Sequence, residues 1–259
     1  MIRTIVTTVL ILIASTKAFT AEFVTLQTLR GLDVNVTLHI PQGSNLPAIV
    51  VAPGSSCNSK GPLFETLAQM GETAKVAIIR FEWNYCISNP SDPVPSFKYR
   101  DEIEAFQTVL EYTKQHASID KTKITLAGKS LGSHIAYAVF AKETSAKALV
   151  LLTPICSYTT DRNGTPLSEP QRVCEEVYPK LKDDKRPVLM TMGNDDSLCL
   201  LPILYDFLKD SKGNISTFVA GGNHGFSIKD SDGNVDQVKT EKNINTVISA
   251  ILNWMDINI

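Results

Sequence analysis

Five apolar runs, at residues 48–52, 76–81, 124–127, 148–152 and 188–192, constrain the fold of this chain more than any other feature. A strand with one wet face alternates apolar and polar residues. A strand that is apolar throughout must be covered on both faces, which is the situation in a parallel sheet flanked by helices. Helix-compatible stretches at 63–75, 99–116, 133–143, 200–209 and 241–255 fall between or after these runs. Asp101, Glu102 and Glu104 open the second stretch, and Lys114 and His116 close it, the charge order that a helix dipole favours. Strands alternating with helices predict an α/β fold with a doubly wound, mostly parallel sheet and helices on both faces. Ahead of them, residues 23–29 and 32–40 read as an antiparallel pair joined near Gly31 at the sheet edge.

The third run leads directly into Gly128-Lys129-Ser130-Leu131-Gly132, followed by a helical stretch. Only small flanking residues allow so tight a strand-to-helix turn, and the turn pushes the serine out of the sheet, as a nucleophile elbow requires. A serine nucleophile needs a base, and the base needs an acid to orient it; in a fold of this kind they follow in the order serine, acid, histidine. After the strand at 188–192 comes Gly193-Asn194-Asp195-Asp196, and after an apolar stretch at 215–220 comes Gly221-Gly222-Asn223-His224-Gly225-Phe226. Of the four histidines only His224 lies beyond the acid. In these motifs the sequence resembles the small, nearly lidless α/β-hydrolases of the dienelactone-hydrolase-like group, roughly from residue 47 onward. Their acid follows a strand in a G-x-x-D setting, and their histidine sits in a short Gly-rich loop. The resemblance implies an α/β-hydrolase fold and a catalytic triad of Ser130, Asp196 and His224. Asp196 matches the G-x-x-D spacing; Asp195 stands beside it as the alternative, with a cap on the following turn as its other role.

The tetrahedral intermediate of such chemistry needs N–H donors aimed at its oxyanion. Leu131, the residue after the nucleophile, supplies the first, and the backbone of Ser55 or Ser56, in Ala52-Pro53-Gly54-Ser55-Ser56-Cys57, is expected to supply the second. Pro53 stands where many members of the resembling families carry histidine. The connection between Pro154 and Arg186 is long, and Gly164-Thr165-Pro166 breaks it before an expected short helix at 170–181; it reads as a small cap on the carboxyl side of the sheet. Trp83 and Tyr85 are expected at the pocket or in the core beside it, and Lys129 as a solvated side chain next to the nucleophile. His134 is expected to pack or cap rather than catalyse. Asp230, Asp232 and Asp236 surround Gly233-Asn234 in what reads as a polar turn, its spacing unlike a calcium loop.

Met1-Ile2-Arg3 followed by an apolar core at 5–14 reads as an export signal over residues 1–21, with cleavage after Ala18, or after Ala21 as the second choice. That core is too short to span a bilayer comfortably, so no integral membrane span is expected after cleavage. The remaining chain, residues 22–259, is about 240 residues and suits one α/β-hydrolase domain. Loss of residues 1–18 removes Arg3 and Lys17 and no acid, moving the formal charge from −2 to −4. Such a surface gives nucleic acid or an anionic membrane no reason to bind. The five cysteines lie beyond the leader, where an oxidising compartment permits disulfides. Cys57 and Cys86, each just past a strand end, are the first expected pair; Cys156 and Cys174, bracketing the cap, are the second, leaving Cys199 free. No spacing suggests a metal, and no cofactor is expected. The expected protein is a secreted or periplasmic serine hydrolase acting on small-molecule carboxylic esters or thioesters. Acyl transfer or peptide cleavage on the same triad, or a non-catalytic binding protein on the same fold, are its alternatives.

Overall fold

The computed structural model describes residues 21–161 and 163–259; apart from Ala21, the expected leader lies outside the described residues. In chain order the elements are β1 (Glu22–Gln27), β2 (Asp33–His39), β3 (Leu46–Ala52), α1 (Pro62–Ala74), β4 (Ala77–Phe81), α2 (Asn84–Ser88), α3 (Arg100–Gln115), β5 (Ile119–Lys129) and α4 (Leu131–Phe140). They continue with β6 (Ala148–Leu152), β7 (Ser157–Thr160), β8 (Pro166–Arg172), α5 (Cys174–Val177), β9 (Val188–Gly193), α6 (Leu201–Leu208), β10 (Ile215–Ala220) and α7 (Gln237–Asn258).

Eight strands form one sheet in the order β1-β2-β4-β3-β5-β6-β9-β10. β1 and β2 pair antiparallel, β2 meets β4 antiparallel, and every later pairing is parallel. The doubly wound, mostly parallel α/β sheet read from the apolar runs is therefore the one present. Successive residues of β5 face opposite layers: Leu126 joins α3, α4 and α6 through Phe106, Ile135 and Leu204, whereas Ala127 joins α1 and α7 through Leu67 and Ile248. Burying side chains of this size contributes about 1.5–3 kcal/mol each. This two-sided cover is what the apolar runs demand. No helix among the described residues is long and apolar enough to cross a membrane.

The cap differs from the sequence expectation. No helix spans 170–181; instead β7 and β8 form a two-stranded antiparallel hairpin, followed by the four-residue α5. The cause lies in the turn. Asp161 Oδ1 accepts N–H bonds from Asn163 and Thr165, at 2.8 Å each, and Gly164 adopts φ 81°, so the chain reverses and residues 166–172 are drawn into a ladder before a helix can form. A second difference concerns α3. Glu102 is more than a dipole partner: it is buried, at 2% exposure, and accepts from the Ser96 N–H at 2.9 Å and the Ser96 hydroxyl at 2.6 Å.

At the antiparallel edge, buried Arg80 pairs with Glu65 at 2.7 Å and donates Nε–H to His39 Nε2 at 3.1 Å. Burial, then the adjacent Arg80 charge, lowers the His39 pKa from 6.5 to about 4, against the opposing pull of Glu65. Because the folded value lies below the unfolded one, the unfolded chain takes up the proton first. The contribution of neutral His39 is fully present above about pH 6.5 and is lost progressively towards pH 4. Thermal melts across this interval are expected to show a falling Tm, with a shallower fall in His39→Gln, whose amide oxygen can accept from Arg80 but does not titrate. An equal slope in both proteins would assign the acid sensitivity elsewhere.

Candidate active site

Ser130 follows the last residue of β5 and is the N-cap of α4, with φ 54° and ψ −120°, a conformation that side chains rarely adopt. Strain of this kind costs about 1–3 kcal/mol and persists only where the surroundings over-determine it. The surroundings here are close. A Cβ on Gly128 would lie 1.9 Å from the carbonyl oxygen of Gly132, and one on Gly132 would lie 2.4 Å from that of Pro53, so neither position admits a side chain. Ser130 N–H donates to the Leu152 carbonyl at 2.9 Å, anchoring the turn to β6.

A buried hydrogen-bond chain supports the same turn from the cap. Ile155 N–H donates to the Tyr178 hydroxyl at 3.1 Å, that hydroxyl lies 2.8 Å from Ser133 Oγ, and the Ser133 hydroxyl donates to the Ser130 carbonyl at 2.6 Å. With Ser133 Oγ donating onward, Tyr178 must donate to Ser133, so every group in the chain has a defined role. Both side chains are fully buried. Neither residue stands out in the sequence, since a serine in a helix and a tyrosine in a polar segment carry no pattern.

The adjacent aspartates separate. Asp195 is exposed, whereas the Asp196 side chain has no exposed surface, and each of its oxygens lies 2.9 Å from His224 Nδ1. Leu198 N–H also donates to Asp196 Oδ1 at 2.9 Å. A carboxylate accepting from Nδ1–H leaves the lone pair on Nε2, the tautomer that a general base needs. His224 Nε2 is buried without a hydrogen-bond partner among the described residues, so Ser130 Oγ does not bond to it in this arrangement. Bonds between a general base and its partner are often long or unformed without substrate.

The loop bearing His224 is fixed from two sides. The Asn243 amide, on α7, donates to the carbonyls of Gly221 and Phe226 at 2.7 and 2.9 Å, while Asn194 Oδ1, two residues before Asp196, accepts Gly222 N–H at 2.9 Å. Sequence reading passed over both asparagines; an amide inside an otherwise apolar helix face was the available signal for Asn243.

Leu131 N–H starts α4 directly after Ser130. The loop holding Ser55 and Ser56 passes beside Ser130, since a Cβ on Gly54 would sit 3.4 Å from Ser130 Cβ. Three contacts tie that loop to α2 and its N-cap: Trp83 Nε1–H donates to the Gly54 carbonyl at 3.3 Å, the Tyr85 hydroxyl donates to the Ser55 carbonyl at 3.4 Å, and Cys57 and Cys86 form a disulfide. Trp83 is fully buried, edge-on to Phe81 at 5.0 Å, and thus braces the site rather than lining it. Cys156, Cys174 and Cys199 are free and buried, so the second expected pair is not formed.

Lys129 is half-buried rather than fully solvated; burial lowers its ammonium pKa, against the stabilising charge of Asp196. His134 packs edge-on against Tyr99 at 5.3 Å, and burial lowers its pKa, opposed by Glu176. The aspartate-rich segment forms a turn, with Asp230 Oδ1 accepting from Asp232 and Asn234 N–H at 2.9 Å each, and Asp236 capping α7.

A family profile described as alpha/beta hydrolase domain matches residues 46–256. Solved structures share the fold. DcsB, in complex with its substrate analogue, is 17% identical with a TM-score of 0.70, over 93% of this chain and 100% of that one. An alpha-beta serine hydrolase homologue from Coxiella burnetii is 17% identical with a TM-score of 0.64, covering 90% of this chain and 96% of that one. An α/β serine hydrolase without a lid from Xanthomonas campestris is 15% identical with a TM-score of 0.59, covering 91% and 94%. A search of curated proteins found no match.

Proposed function

The chain belongs to the α/β-hydrolase family, and from that footing we propose that it is a serine hydrolase that cleaves carboxylic esters or thioesters through an acyl-enzyme. The observation that carries the reading is the buried Asp196 carboxylate holding His224 Nδ1 at 2.9 Å, on loops that follow β9 and β10 of the sheet whose β5 ends at strained Ser130. Serine hydroxyls are weak nucleophiles at neutral pH. Ser130 Oγ attacks the substrate carbonyl while His224 Nε2 takes its proton, and Asp196 stabilises the imidazolium that results. Leu131 N–H, with Ser55 or Ser56 N–H, stabilises the oxyanion. His224 then returns the proton to the leaving alcohol or thiol, and water, activated by the same imidazole, releases the acid.

The setting we propose is outside the cytoplasm, secreted or periplasmic, after removal of residues 1–21. The Cys57–Cys86 disulfide supports it, because such bonds persist in oxidising compartments. Solved esterases of the same fold, including a carboxylesterase from a metagenomic library, support the hydrolytic chemistry.

A fluorophosphonate probe tests the reading directly, since it phosphonylates only an activated serine. Stoichiometric labelling, mapped by peptide mass spectrometry to Ser130 and lost on heat denaturation, is expected. An unlabelled folded protein would remove the basis for an acyl-enzyme.

A further inference from the structure

A groove of about 550 Å3 opens beside the first turn of α4, between the β7–β8 hairpin, α5 and the turn at Phe97–Tyr99. Its walls include the rings of Tyr99, His134 and Tyr158 and the carboxylates of Asp161 and Glu176. His134, one wall of the groove, follows Ser130 by one helical turn, so the two backbone positions are separated by about 6 Å along the helix axis. Lys98 and Tyr99 both adopt left-handed φ of 55°, so the backbone is held in an uncommon shape that sets the Tyr99 ring against His134.

The chemistry of these walls has one sign. Among the described residues lining the groove there is no lysine or arginine. The Glu176 side chain is exposed and its carboxylate takes part in no hydrogen bond or ion pair among the described residues, although its charge reaches both His134 and Tyr158. Asp161 anchors the hairpin turn through Oδ1 and leaves its charge at the far end. A neutral apolar group here would desolvate Glu176 without compensation, and an anion would be repelled. A cation meets the tyrosines of the lining and a carboxylate without a side-chain partner together.

We propose that this groove receives an alkylammonium group carried by the substrate, held among Tyr99, Tyr158 and Glu176. The proposal gives the ester-hydrolase reading a substrate class, and its binding half can be measured without turnover. The full chain is titrated with choline and with the uncharged isostere 3,3-dimethylbutan-1-ol while tyrosine side-chain resonances are followed. In parallel, kcat/KM is compared for acetylthiocholine and 3,3-dimethylbutyl thioacetate. Choline is expected to shift the Tyr99 and Tyr158 signals and the isostere to leave them in place. The cationic thioester is expected to be favoured by about tenfold, the scale of one well-placed cation–aromatic contact with a carboxylate beside it. Glu176→Gln, at an exposed position where folding is undemanding, should bring that ratio towards one, as should high salt. Choline that binds no better than the isostere, or equal turnover of the two thioesters, overturns the proposal. Choline binding in a protein that cleaves neither thioester and takes no fluorophosphonate would uphold the groove and sink the hydrolase reading instead.

Discussion

Ser130→Ala is expected to leave the fold intact and to lower ester turnover by on the order of a million-fold, the scale on which loss of the nucleophile acts in triad enzymes. Alanine keeps the Cβ that the strained turn already accommodates, and the Ser130 backbone bonds to Leu152 and Ser133 do not involve the side chain. The purified variant should therefore melt as the parent does, or slightly higher through relief of an activated site. A residual rate above that of water is expected, because the oxyanion donors remain. Turnover close to that of the parent would remove Ser130 from the chemistry altogether.

Asp196→Asn is expected to be the next most damaging change, costing up to about ten-thousand-fold in turnover. The amide fits the same space, but its nitrogen can donate to Nδ1 and so favours the imidazole tautomer that carries its proton on Nε2, where a lone pair is required. Asp195→Asn, at an exposed side chain, should change turnover little. Both variants are to be compared by kcat and by thermal melting, so that misfolding is separated from lost chemistry. A severe loss confined to the Asp195 variant would transfer the role to that residue.

The contrast between these two aspartates shows where sequence reading stops. Their order after a strand was legible because the loop chemistry of the fold is periodic: an apolar run, a glycine, then an acid. Which of the pair turns inward is decided by backbone bonds from Asn194 and Asp195 to the carbonyls of Ala220 and Gly222, on a strand and loop some 25 residues away, and no local pattern encodes that. The parallel strands were legible for the opposite reason, since two-sided burial imposes apolarity on most of their residues, Arg80 of β4 standing out as a buried charge held by Glu65 and His39. The cap was misread as helix because a polar segment satisfies either structure, and the turn at Asp161 and Gly164 tipped it to a hairpin. Ser133, Tyr178 and Asn243 escaped notice because each acts through side-chain hydrogen bonds to residues far away in the chain, which leave no local pattern.

The buried bonds from Ile155 through Tyr178 and Ser133 to Ser130 make the cap and the nucleophile turn one cooperative unit. Breaking these bonds would strand buried polar groups at about 1–3 kcal/mol each, so the amides of Ser130, Ser133 and Ile155 are expected to exchange more slowly than those of the exposed strand β8. On heating, loss of the Tyr178 bonds and loss of the strained Ser130 turn are then expected to arrive together, which a comparison of the heat profiles of probe labelling and of near-UV ellipticity would check.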